Sequence, residues 1–253
     1  MANQFSSVWT REPRRPRTSG LRRDQIVRAA VAILDKEGLD ALSMRRLGAE
    51  LDAGATSLYW HVANKTELLE LALDEIWGLV DDLALDRTDS LRQLLTTFAY
   101  NLRAALLDHP WSATLIGRVP AIGPQAFRLS ERLRRAFADA GFQGLDIYLA
   151  SGTITSFVLG QVIPVIAMEN SHGGRVDRDS VLRTLDKAAA DYPEMRADYR
   201  SLMPEDPGSG HAMGFDFGLL CVLDGLEARR RAQQTAPPQP ATGESATPPG
   251  TGR

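Results

Sequence analysis

The residues with chemical capacity crowd into one short stretch. "SLYWHV", residues 57–62, sets a tyrosine, a tryptophan and a histidine side by side, and Lys65 follows three positions later. Phenol, imidazole and ammonium groups this close together all donate hydrogen bonds, and the phosphate oxygens of a nucleic-acid backbone accept such donors. Leu58 and Val62, four apart, can pack inward, which leaves Tyr59, His61 and Lys65 to face outward. A second reading is open on residue types alone, with Tyr59 and Trp60 as core aromatics and His61 as a turn cap. The patterns that catalysis requires do not occur: there is no G-x-S-x-G, no phosphate-binding loop and no G-x-G-x-x-G after a strand. "GSGHAMG" (208–214) comes nearest, with its last glycine one residue late, and it reads as a flexible loop before a final helix. The four histidines, His61, His109, His172 and His211, stand 48, 63 and 39 residues apart, unlike metal ligands. No metal and no other cofactor is expected.

Helical spacing positions the ring cluster. Ile26, Ala30, Ile33 and Leu34 fall at i, i+4, i+7 and i+8, and the helix they form stops at "KEG" with Gly38. Ser43 caps "SMRRLGAEL", in which Leu47 and Leu51 share a face; Gly54 turns the chain into a short segment from Ala55 to His61. Asn64 and Glu67 then open a fourth helix that runs to Leu83. Helix, helix, tight turn and short helix within about 40 residues is the helix-turn-helix arrangement, whose second element enters the major groove. Charge agrees: residues 1–65 carry 11 Lys and Arg against 7 Asp and Glu, a balance of +4, leaving 18 against 25, or −7, for the rest. A basic head on an acidic body suits a chain of which only the head meets a polyanion.

At 253 residues and 43% hydrophobic, the chain has material for a proper core. A single cysteine and no signal-like start make it a cytoplasmic protein by expectation. The most apolar run, residues 154–168, is interrupted by Gln161 and Pro164 and is shorter than the roughly 20 residues that span a bilayer, so a buried, kinked helix and no membrane are expected. The ends, 1–19 with Arg11, Arg14, Arg15 and Arg17 and 234–253, read as disordered tails. Between them the expected fold is all-α, with a helix-turn-helix domain at 20–66 and a helical effector-binding and dimerisation domain at 67–233. Helices are expected near 90–109, 123–140, 145–169, 179–191 and 214–231. Phe98, Leu102, Trp111, Leu115, Phe127, Tyr148 and Phe157, with the polar Ser151, Thr155 and Gln161 among them, can line a ligand pocket; ordinary core packing is the alternative. Phe215, Leu219, Val222, Leu223 and Leu226 recur at helical spacing and are expected to join two copies with the 145–168 helix.

"ALSMRRLGAELDAGATSLYWHVANKTELLELAL" resembles the N-terminal domain of the tetracycline-repressor (TetR) family of bacterial transcription regulators, and "FDFGLLCVLDGLEARR" is similar to the last helix of the tetracycline-repressor subgroup. The resemblance implies a homodimeric repressor that leaves a palindromic double-stranded DNA operator when a small molecule fills the C-terminal domain. By position it implies Arg45 as a base reader, Ser43, Ser57, Tyr59, His61 and Lys65 as phosphate or base contacts, and Thr56 in the turn region. Ala55 departs from a family position that can hold a base-reading amide, so the operator is expected to differ from the tetracycline operator. The places that bind the magnesium–drug chelate in that subgroup hold Ile116, Ser156 and Pro164, poor magnesium ligands, so an apolar or aromatic effector is expected. A helical enzyme without a recognisable motif and an architectural DNA binder with a solid interior are the rival readings.

Overall fold

The computed structural model describes residues 7–10, 21–81, 90–172 and 177–235. Among these the chain is helical, with one isolated bridge, Ile116 to Val119, and no strand. The head comprises α1 (Arg23–Glu37), α2 (Met44–Glu50) and α3 (Ala55–Leu58). Gly38 ends α1 at a φ of +79° and donates its N–H to Leu34, a conformation that glycine adopts without steric cost. Ser43 Oγ accepts from the Arg46 N–H and so caps α2. Ile26, Ala30, Ile33, Leu34, Leu42, Leu47, Leu58 and Val62 are buried together; Leu58 and Val62 are the backing that their spacing implies.

Helix α4 (Lys65–Asp81) leaves the head and enters the body. Asn64 Oδ1 accepts from the Glu67 N–H, while the Glu67 carboxylate accepts from the Ala63 N–H; each satisfies a donor that the first turn leaves open. Around α4 stand α5 (Leu91–Asp108), α6 (Pro110–Ala113), α7 (Pro124–Asp139), α8 (Leu145–His172), α9 (Arg178–Ala188), α10 (Pro193–Leu202) and α11 (Pro207–Thr235). α4 packs on α1 in the head and on α5 and α7 in the body. As a result the buried apolar residues from Ile26 in the head to Leu226 in α11 form one connected core.

Several expectations change. α6 and α10 were not expected, and each begins with proline at its first position, where the missing N–H costs nothing. α11 starts seven residues early, so "GSGHAMG" is helix and not loop: Pro207 opens it and the Asp206 carboxylate accepts from the Gly208 N–H at 3.2 Å. α8 runs on to His172 with Pro164 inside it, and Leu145–Ser171 is long and apolar enough by composition to cross a bilayer. Ile147, Ala150, Ile154, Val158, Val162 and Ile166 are its buried face; the other face is exposed in a single chain. Residues 7–10, placed by sequence in a structureless tail, form a turn against α4. Residues 1–6, 11–20, 82–89, 173–176 and 236–253 lie outside the described residues, and with them the expected end of the fourth helix at Leu83.

The face assigned to dimerisation is also corrected. Phe215, Leu219, Leu223 and Leu226 are buried in their own chain and Val222 is half-buried, because α11 packs this stripe on α8 and α5. The exposed apolar stripe is Met213, Phe217 and Leu220 on α11, with Leu145, Tyr148, Leu149 and Met168 on α8.

Candidate DNA-binding and effector sites

Two adjacent arginines of α2 have different surroundings. Arg46 bridges Glu37 at the end of α1 (2.7 Å) and Glu50 in its own helix (2.8 Å); these pairs raise the guanidinium's pKa and lower that of Glu37. Arg45 is exposed and has no ion pair or hydrogen bond from its side chain among the described residues, so its planar fork of donors is available. Ser43 is exposed with its hydroxyl engaged at the α2 cap. Ser57 and His61 are half-buried, and Tyr59 and Trp60 are about half exposed. Trp60 was not singled out by sequence as a surface residue; its neighbours Leu58 and Val62, both inward, carried that signal. The Thr56 side chain lies outside what is described. Lys65 donates from Nζ to the Leu39 carbonyl at 2.8 Å, pinning the start of α4 to the turn after α1.

Four polar joints tie α1 to α6 and α4 to residues 7–8 and to α7. The Asp35 carboxylate of α1 accepts from Trp111 Nε1 (2.6 Å) and from His109 Nδ1 (2.7 Å) at the start of α6; a carboxylate only accepts, so the imidazole carries its proton on Nδ1. Glu70 of α4, buried, accepts from the Ser7 hydroxyl (2.5 Å) and the Val8 N–H (3.0 Å). One turn on, buried Asp74 accepts from the N–H groups of Gln125 (3.1 Å) and Ala126 (3.0 Å), the open first turn of α7. Burial pushes the Asp74 pKa up, against the pull of those two N–H groups and of Arg128. Arg132 of α7 donates to the Asp81 carboxylate at 2.7 Å, at the far end of α4.

The ten residues proposed from sequence to line a pocket do not share one cavity. Phe98, Leu102, Trp111 and Leu115 are buried in the core, Ser151, Thr155 and Phe157 are half-buried, and Phe127, Tyr148 and Gln161 are exposed. Ser151 spends its hydroxyl on the Ile147 carbonyl, and Phe157 packs on Phe215 with ring centroids 5.4 Å apart. Helical phase accounts for the outliers. On α7 the inward face is Ala126, Leu129, Leu133 and Phe137, and Phe127 lies about 100° away from Ala126; Tyr148 and Gln161 are likewise one residue off the inward face of α8. A cavity of about 440 Å³ lies instead between α4 and the segment joining α6 to α7, lined by Leu73, Trp77 and residues 116–121. Among the described residues no group of three or more His, Cys, Asp or Glu could hold a metal ion.

Residues 26–72 match the model of bacterial regulatory proteins of the tetR family, and residues 84–230 match that of the tetracyclin repressor-like C-terminal domain. An HTH-type transcriptional regulator of Saccharopolyspora erythraea is 37% identical over 223 residues, 88% of this chain and 92% of its own. The HTH-type transcriptional repressor DrrR1 of Streptomyces coeruleorubidus is 32% identical over 245 residues, 92% and 89% of the two chains. Among solved structures, the TetR family protein ActR of Streptomyces coelicolor in complex with actinorhodin superposes with a TM-score of 0.69 at 27% identity, covering 83% of this chain and 97% of that one. The chain belongs to the TetR family of bacterial transcriptional regulators.

Proposed function

We propose that this protein is a homodimeric repressor that binds a palindromic operator through α2 and α3 and leaves it when a small organic molecule occupies the helical body. It acts as a regulator and not as a catalyst, in the cytoplasm where its DNA lies. Residues 20–66 form the DNA-binding unit and residues 67–233, from within α4 onward, the effector and dimerisation unit. The observation that carries the reading is the division within the family's DNA-binding region: Leu47, Leu58 and Val62 are buried, Arg46 is consumed by Glu37 and Glu50, and Arg45 stands exposed and unpaired. In this reading Arg45 reads a base, and Ser43, Thr56, Ser57, Tyr59, His61 and Lys65 contact phosphates or bases. A recognition element this short covers few base pairs, so two heads about 34–36 Å apart are needed. The exposed stripes of α8 and α11 supply the surface for joining two copies. ActR's complex with actinorhodin supports a small organic effector.

The test is selection of bound fragments from the source genome, followed by titration of the selected operator. Arg45→Ala should cost about 1–3 kcal/mol on operator and relax preference at one base pair per half-site. Equal losses on operator and random DNA would remove Arg45 as a base reader; no preference for any fragment would remove the repressor reading.

A further inference from the structure

Glu70 is a buried carboxylate on α4 with no lysine or arginine beside it among the described residues, and both of its hydrogen bonds come from the N-terminal segment. The Ser7 hydroxyl and the Val8 N–H donate to the same oxygen, Oε2, at 2.5 and 3.0 Å. Burying a carboxylate is costly unless donors reach it, so an acid at this point of α4 suits only a chain that brings residues 7 and 8 to it. The segment also holds its own shape: the Thr10 N–H and hydroxyl donate to the Ser7 carbonyl at 3.2 and 3.1 Å, and the Trp9 N–H donates to the Ser7 hydroxyl at 3.3 Å. Ser7 and Val8 are buried, and Trp9 packs against the core. The Arg23 guanidinium lies over the Trp9 ring, 5.6 Å from its centre, a cation–π arrangement. Arg23 is the first residue of α1 and Glu70 lies in the second turn of α4. Four residues thus cross-link the start of the head to the helix that carries it.

We propose that residues 7–10 form a clasp across α1 and α4, and that Glu70 is the positioning residue through which the clasp sets the preference for operator over random DNA. A specific site on a dimer requires both heads at one spacing, about 34–36 Å, whereas random DNA requires only phosphate contacts. Holding α1 at one angle to α4 removes freedom that operator binding would otherwise have to freeze, and that freezing opposes association. Random DNA makes no such demand. The effect on operator preference rests on the repressor reading; the clasp does not.

The experiment uses the full chain with Glu70→Ala, Glu70→Gln and Val8→Asp, and titrates the selected operator and a random duplex of equal length at a temperature where circular dichroism shows every variant folded. Glu70→Ala and Val8→Asp should each weaken operator binding about tenfold. Binding to the random duplex should change by less than about twofold, with its salt slope unchanged. Glu70→Gln, which keeps an acceptor for the Val8 N–H, should retain most of the preference. Equal losses on both duplexes or a smaller salt slope would make residues 7–10 a phosphate contact, and an unchanged preference in both Glu70→Ala and Val8→Asp would make them packing alone; each result overturns the proposal. Exchange of the Val8 amide, followed by nuclear magnetic resonance without DNA, reads the clasp separately. It should be protected in the wild type and at least about tenfold faster in Glu70→Ala. Fast exchange in the wild type overturns the clasp whatever the DNA result. A protected amide in a protein that prefers no duplex refutes the repressor reading, and with it the role of Glu70 in operator preference, but not the clasp.

Discussion

Gly123→Ala is the sharpest perturbation that the structure offers. Gly123 precedes Pro124 at the start of α7, and a Cβ built on it would fall 2.6 Å from Asp74 Oδ2 and closer still to Cγ and Oδ1. The methyl group and the carboxylate cannot share that space, so Asp74 must leave the N–H groups of Gln125 and Ala126. Two hydrogen bonds to a charged acceptor are lost, each worth about 1.5–3 kcal/mol, and two donors are left open. Placing alanine at an ordinary N-cap costs about 0.5–2 kcal/mol relative to a good cap, so the expected loss here, about 3–5 kcal/mol, exceeds the cap effect alone. For a protein of this size that is a fall in Tm of about 6–20 °C. Urea and thermal unfolding followed by circular dichroism measure it. The double variant with Asp74→Ala should lose little more than Asp74→Ala alone, since the clash partner is gone. A Gly123→Ala protein within about 1 kcal/mol of wild type, or strict additivity in the double variant, would refute the steric account of the Asp74 joint.

Three further outcomes are expected. Phe217→Glu, on the exposed stripe of α11, should give a folded monomer by light scattering at micromolar concentration, whereas Phe215→Ala, in the chain's own core, should cost about 3–5 kcal/mol of stability; a dimer that survives Phe217→Glu places the interface elsewhere. Lys65→Ala should weaken binding to all DNA sequences, lower the salt slope by about one, and cost roughly 1 kcal/mol of stability through the lost bond to Leu39; unchanged stability with unchanged salt dependence would sink both roles. Burial raises the pKa of Asp74 above its value of 3.8 in the unfolded chain, so the folded protein holds that proton more tightly, and the contribution is full below 3.8 and lost as pH rises through the raised value. The stability of wild type relative to Asp74→Asn should therefore decline as pH climbs from about 3.8 through that range; a difference that grows with pH in matched urea titrations would contradict the sign.

The helices with strong local punctuation were legible in the sequence. Ser90 and His109 bracket α5, Gly123 and Ala140 bracket α7, and Ser43 caps α2, all where the residue types place them. The Asp206–Pro207 pair marks the start of α11 equally well, but the glycines after it argue for a loop, and the cap prevails. Which face of a helix turns inward was not legible. On α11 the stripe of Phe215, Leu219 and Leu223 and that of Met213, Phe217 and Leu220 both recur at helical spacings of three or four, and only packing against α8 and α5 decides between them. The joints were invisible for a related reason: Lys65 finds Leu39 26 residues away, and Asp74 finds Ala126 52 residues away. Such partners are set by how helices pack, which no local pattern encodes.

The unbroken core from Ile26 to Leu226 also sets how the molecule comes apart. A head that packs on α4, and a body that packs on the same helix within one core, have no seam along which one could melt while the other persists. Amide hydrogen exchange in the middle of α1 is then governed by the same rare global opening as exchange in α5 and α8. Any molecule that binds only the folded body slows exchange in a head it never touches, because it makes that shared opening rarer.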